Sequence, residues 1–143
     1  MNNLNDQIWK KNKKIIPSIR KKLLDISDWV TKNISDMVEI KTVYFTGSLA
    51  TYKWTPASDV DLHIIIDVKE KICDEPVQEF LDLKSKIFNK DHNIFIKGYK
   101  VEVNMKDREV QLKGKGIYDL VKDEWVIEPT PVTRKMNDPE VLK

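Results

Sequence analysis

The chain has 143 residues, which predicts one domain with a proper core and no room for a second, substrate-binding domain. Charged residues make up 34% of it, yet 25 basic and 23 acidic side chains leave only +2, so any polyanion must be met by a local patch, not by the field of the whole molecule. One cysteine, Cys73, excludes an internal disulfide framework, no apolar run approaches the roughly 18 residues of a membrane helix, and no signal-peptide pattern opens the chain; the expectation is a cytoplasmic protein without a membrane partner.

A basic run comes first: Lys10, Lys11, Lys13 and Lys14, then Arg20, Lys21 and Lys22. It reads as a solvated helix face or a frayed start, with contact to a phosphate backbone as the alternative. Pro17 suits a first helical turn, and Ile16, Ile19, Leu23, Ile26, Val30 and Ile34 recur at spacings of three and four, predicting an amphipathic helix over 17–35. From Val38 to Phe45 β-branched and aromatic residues cluster into a strand ending at Gly47. A short helix over Ser48–Lys53 follows, and Pro56 then breaks regularity before a strand that starts at Asp59.

Asp67 and Glu70 have capping-box spacing, with Asp67 as N-cap of a helix interrupted by Pro76. Val77, Phe80, Leu81, Ile87 and Phe88 mark a second amphipathic stretch. Beyond His92 the period returns to two. Ile94–Lys97 and Tyr99–Met105 read as strands about a turn at Gly98, with Val101, Val103 and Met105 on one face and Lys100, Glu102 and Asn104 on the other. Gly114 and Gly116 mark another turn, and Ile117–Ile127 adds a short strand or edge element containing Trp125. The reading is thus a domain over 1–128 with an extended or flexible tail over 129–143, built as an α+β (α/β) mixed sheet with helices on one face.

The chemistry gathers at Gly47-Ser48, ten residues of spacer, and Asp59-Val60-Asp61. In an extended strand residues i and i+2 share a face, so Asp59, Asp61 and His63 project together while Val60, Leu62, Ile64 and Ile66 project the other way. Two carboxylates held side by side repel unless a cation or proton lies between them, and such hard oxygen donors suit magnesium. The glycine turn offers backbone N–H groups and the Ser48 hydroxyl to phosphate oxygens. An acid pair at i and i+2 is by itself common on exposed strands; its conjunction with the Gly-Ser turn and a buried following strand carries the signal.

This conjunction resembles the signature of the nucleotidyltransferase superfamily, the fold of DNA polymerase beta, poly(A) polymerases and aminoglycoside nucleotidyltransferases: Gly-Ser, a spacer of about ten residues, acid-apolar-acid, a hydrophobic strand, and a third acid on a later strand. The resemblance covers about residues 40–106. It looks closest to short nucleotidyltransferase-like proteins of tailed bacteriophages, through Gly98-Tyr99-Lys100-Val101-Glu102-Val103, Gly116-Ile117-Tyr118 and Asp123-Glu124-Trp125. Small members often carry Arg and Gly soon after the Gly-Ser, where this chain has Thr51 and Tyr52.

The resemblance implies a metal-dependent transferase moving a nucleoside monophosphate from a triphosphate such as ATP onto a hydroxyl of an RNA end, a protein or a small molecule, releasing pyrophosphate. Asp59, Asp61 and Glu102 would be the catalytic and metal-holding acids, with Mg2+ or Mn2+ as cofactor, and Gly47, Ser48 and Lys53 the nucleotide contacts. Without a second domain, acceptor choice would fall to a partner chain, a homodimer interface or the basic N-terminal region; for a phage protein the compartment would be the host cytoplasm. The competing reading is a non-catalytic nucleotide- or nucleic-acid-binding module of the same fold. Glu102 is otherwise an ordinary water-facing strand residue, His63 a satisfied half-buried histidine that could instead contact a nucleotide, and Tyr52 and Trp54 packing aromatics that could instead stack on a base. His92 and Cys73 lack the companions of a zinc site.

Overall fold

The computed structural model describes residues 3–68, 77–107 and 114–131. Helix α1 (Pro17–Thr31) is followed by a 3-10 turn, Lys32–Ile34. Strand β1 (Val38–Thr46) runs through a second 3-10 turn, Ser48–Ala50, and a loop to β2 (Val60–Val68). Helix α2 (Val77–Asp91) precedes β3 (Phe95–Ile96), β4 (Tyr99–Lys106), β5 (Ile117–Asp119) and β6 (Glu124–Ile127).

The six strands form one sheet ordered β3-β4-β2-β1-β5-β6, mixed because β2 and β4 are parallel and the other pairs antiparallel. A parallel pair cannot be joined by a tight turn; α2 lies in the connection and packs on β4. The sheet's apolar face, with Val43, Phe45, Val60, Leu62, Ile64, Val101, Val103 and Met105, joins Ile19, Leu23 and Ile26 of α1 and Leu81 of α2 in one core. Trp29 of α1 meets Phe88 and His92 of α2, with ring centroids 5.2 and 4.6 Å away, so both helices cover the same face. The other face is left to the alternate residues of β2 and β4, polar except for the fully buried Ile65.

Beyond its short pairing with β3, the outer edge of β4 would leave unpaired amides. Helix α2 covers it with a polar stripe. Val103 N–H donates to Asn89 Oδ1 (2.9 Å), Met105 N–H to Ser85 Oγ (2.9 Å) and Asp107 N–H to Gln78 Oε1 (3.0 Å). Asn89 and Gln78 return bonds to the carbonyls of Val103 and Met105.

Several expectations change. The first helix is α-helical only to Thr31 and ends as a 3-10 turn, and the helix expected over Ser48–Lys53 is the single turn Ser48–Ala50. Asp67 does not cap a helix: it lies in β2, paired with Glu39, because the β2 ladder extends past Ile66. Glu70, Cys73 and Pro76 lie outside the described residues. Ile87 of the second amphipathic stretch faces solvent. The 94–97 strand shortens to Phe95–Ile96, since Lys97 and Gly98 both take positive φ (53° and 85°) as the two central residues of a tight hairpin. Residues 117–127 form two strands, not one.

The basic run divides: Arg20, Lys21 and Lys22 lie on α1, with Lys21 and Lys22 exposed as a solvated helix face, whereas Lys10, Lys11, Lys13 and Lys14 are the largest correction, being neither a helix face nor a frayed start. Residues 10–14 close a tight loop (Lys10 N–H to Lys14 O, 2.8 Å; Lys13 N–H to Lys10 O, 2.9 Å). Leu4, Ile8, Trp9 and Ile15 around it are buried. Trp9 packs against Phe45, Tyr118 and Trp125. Lys14 Nζ donates to Asp123 O (2.6 Å), and Arg20 donates to Leu120 O (2.6 Å) and Val121 O (3.0 Å). Of the tail, residues 132–143 lie outside those described. No helix among the described residues is long and apolar enough to cross a membrane.

Candidate active site

Three pieces of chain meet at the start of β2. In the antiparallel pairing Thr46 stands opposite Asp61, and in the parallel pairing Asp61 stands opposite Glu102. Paired positions share a face, so Asp61 lies between the end of β1 and Glu102, with Asp59 two residues back on the same parity. The register thus sets Asp61 beside Glu102, while Asp59 stands just before β2, outside the paired register. Asp59 and Glu102 are exposed and Asp61 is half-buried.

Burial, then the charge of Glu102, then that of Asp59 push the Asp61 carboxyl up to about 6. A carboxylate desolvated beside two others is the arrangement that a proton or a cation relieves. Among the described residues no three or more His, Cys, Asp and Glu side chains form a group that could hold a metal ion. The donors nonetheless fit magnesium, which binds through one or two carboxylates and lets water and substrate phosphates complete its shell.

Gly47 adopts φ 90° and ψ −176°, a region that is essentially glycine's alone. A Cβ there would come within 2.5 Å of Asp61 Oδ2. Glycine therefore lets the turn lie flush against the carboxylate. Ser48 is exposed, its Oγ 2.6 Å from Ser58 Oγ, which accepts from Thr55 N–H (2.9 Å). This closes the loop back onto Asp59. Lys53 is exposed on that loop, with its amide bonded to Thr51 Oγ1 (3.1 Å).

His63 lies between Tyr44 and Asn104 on the acidic face. Burial, then Lys106, lower its pKa. Its Nδ1 is buried with no hydrogen-bond partner among the described residues, which corrects the reading of a satisfied histidine. Tyr52 is buried and Trp54 half-buried. His92 stacks on Phe88 (4.4 Å) with Nδ1 3.1 Å from the Phe88 carbonyl, a packing role.

Two residues that sequence reasoning missed hold the turn in place. Trp9 Nε1 donates to the Leu49 carbonyl (2.8 Å). Gly116, read only as a turn marker, lies so close to Ala50 that a Cβ would overlap its carbonyl oxygen. Trp9 had a signal, an aromatic among Leu4, Ile8 and Ile15, but it falls off the spacing of four and seven that those three share. Gly116 had none, since its contact is made across the fold.

A mixed sheet with helices on one face, a glycine turn at the end of β1 and carboxylates on the parallel pair β2 and β4 are consistent with the nucleotidyltransferase class of fold. The nucleotidyltransferase domain family model matches residues 27–131, most of the chain, and the protein belongs to that family. Comparison with curated proteins and with solved structures finds no significant match.

Proposed function

We propose that the protein transfers a nucleoside monophosphate from a nucleoside triphosphate to a hydroxyl acceptor and releases pyrophosphate, with Asp59, Asp61 and Glu102 as the acids and Mg2+, or Mn2+, as cofactor. The observation that carries this reading is Asp61 set between Gly47 and Glu102 with its carboxyl pushed up to about 6. An ion bound between these carboxylates and the phosphates would neutralise the charge that builds in an in-line displacement.

The chain's own residues supply the rest. Ala50 N–H is bonded to the Gly47 carbonyl (3.0 Å), so the amides of Ser48 and Leu49 would be the ones to receive the outgoing phosphates. Ser58 Oγ, having accepted from Thr55, can give its proton to Ser48 Oγ, which frees the Ser48 O–H for a phosphate oxygen. Lys53 would meet the phosphates from the loop. As the acceptor oxygen bonds to the α-phosphorus, the bond to the β-phosphate oxygen breaks, and the acceptor's proton passes toward exposed Glu102. The landmarks Gly98–Val103, Gly116–Tyr118 and Asp123–Trp125 support a further reading, as a short phage-type transferase acting in host cytoplasm.

The test is transfer from each α-labelled triphosphate with Mg2+, using RNA and protein acceptors. Wild-type protein should label an acceptor and release pyrophosphate, and Asp61→Ala should do neither while staying folded. Full transfer by Asp61→Ala would remove the assignment. Nucleotide binding without pyrophosphate release in every mixture would instead mark a non-catalytic binding module.

A further inference from the structure

The loop that joins the phosphate turn to the acid pair has a second side. Between it and the N-terminal segment lies a pocket of about 660 Å³, lined by Asn3, Leu4, Asp6, Trp9, Lys10, Lys11, Lys13, Tyr52 and Trp54, within the range of about 300–1,000 Å³ usual for ligand clefts. Its walls are of two kinds. Trp54, half-buried, is fixed by donation from Nε1 to the Asn3 carbonyl (2.9 Å), so its ring is held in one orientation beside Tyr52. Opposite, the closed 10–14 loop presents Lys10 and Lys11, exposed and without an ion pair among the described residues. Lys13 is engaged by Glu128 at 3.2 Å. Asp6 is the one acid of the lining.

A fixed indole beside free ammonium groups is the pairing that takes a base on its flat face and the adjoining phosphates by charge. We propose that this pocket binds single-stranded nucleic acid, with a base against Trp54 and phosphates against Lys10 and Lys11, and so presents the acceptor end to the acid corner. Binding stands on the pocket alone; the acceptor role rests on the transfer reading above. Coupling between the two sites has a route: Trp9, part of the pocket wall, also holds the Leu49 carbonyl in the phosphate turn. A peptide rich in carboxylates would satisfy the lysines but leave the indole unused.

The test is fluorescence anisotropy with three labelled probes: a ten-nucleotide RNA, the same sequence as DNA, and a ten-residue polyglutamate. Proteins are wild type, Lys10→Glu/Lys11→Glu, Trp54→Leu, Trp54→Phe and Asp61→Asn. Wild type should bind one or both oligonucleotides, the two arms naming the sugar. The lysine double variant should bind at least tenfold more weakly, with the log–log salt slope smaller by roughly 1.4, for two phosphates of a single strand. Trp54→Leu should lose severalfold on oligonucleotides and nothing on polyglutamate, and Trp54→Phe should recover part. Because Lys10 and Lys11 are exposed, their variant reports even if Trp54→Leu misfolds. Equal oligonucleotide affinity in wild type and lysine variant, or polyglutamate binding as tight as oligonucleotide, overturns the proposal. Asp61→Asn separates the two readings: unchanged oligonucleotide binding with no transfer by any protein keeps the pocket and ends the transferase, whereas transfer to RNA unaffected by the pocket variants keeps the transferase and overturns the acceptor role.

Discussion

Asp61 is the residue on which site and stability conflict. Its carboxyl titrates near 6 in the folded protein against about 3.8 when unfolded. The folded state therefore holds a proton that the unfolded state has released between these values, and stability falls as pH rises through that window. Below it both states are protonated and the cost vanishes. Asp61→Asn should raise Tm at pH 7, and the gain should shrink to nothing as pH falls from about 6 to 4, read by thermal melts across pH. If an ion is what relieves the repulsion, millimolar Mg2+ or Mn2+ should raise the wild-type Tm at pH 7 and leave Asp61→Asn unmoved. Gly47→Ala meets both a forbidden backbone region and the Asp61 carboxylate, so it should cost about 1–3 kcal/mol in chemical denaturation and weaken triphosphate binding.

At the scale of elements, the weak point is the outer edge of β4, which is satisfied by side chains of a helix and not by another strand. Asn89→Leu keeps the size of the side chain but strands the Val103 N–H and C=O in a half-buried seam. Leaving such groups unpaired should cost about 1–3 kcal/mol, and the opened edge should promote self-association. Urea midpoints and light scattering would read the two effects separately. The same stripe shows why the α2 pattern was only partly legible: apolar periodicity located the helix, but Gln78, Ser85 and Asn89 looked like solvent-facing polar residues. Their partners are backbone amides of a strand that lies 14 to 29 residues further on.

Across the whole molecule, the N-terminal segment and the β5–β6 hairpin complete one another. Trp9 stacks on Trp125 at 4.6 Å, and Trp125 Nε1 donates to Lys13 O at 2.8 Å. Burying Leu4, Ile8, Trp9 and Ile15 is worth roughly 1.5–3 kcal/mol each, which together rivals the 5–15 kcal/mol stability of a whole domain. Deletion of residues 1–15 should therefore abolish cooperative unfolding, seen as loss of the thermal transition in near-ultraviolet circular dichroism. A surviving sharp transition would mean that the segment is an accessory layer. The matched family region begins at residue 27, yet Leu4, Ile8, Trp9 and Ile15 share one core with the sheet.

The acid pair, the glycine turn, the sheet's alternating strands and both helices were determined by the sequence alone, because each is a local matter of period, turn chemistry and spacing within a few dozen residues. The short range of those rules also sets their limit. That Glu102 stands level with Asp61, that Gly116 presses on Ala50, that His63 keeps an unpartnered nitrogen and that a lysine-rich start is half core were decided only by tertiary structure. Each depends on which distant strand lies alongside, and parallel pairing and cross-fold burial leave no periodic trace in the chain.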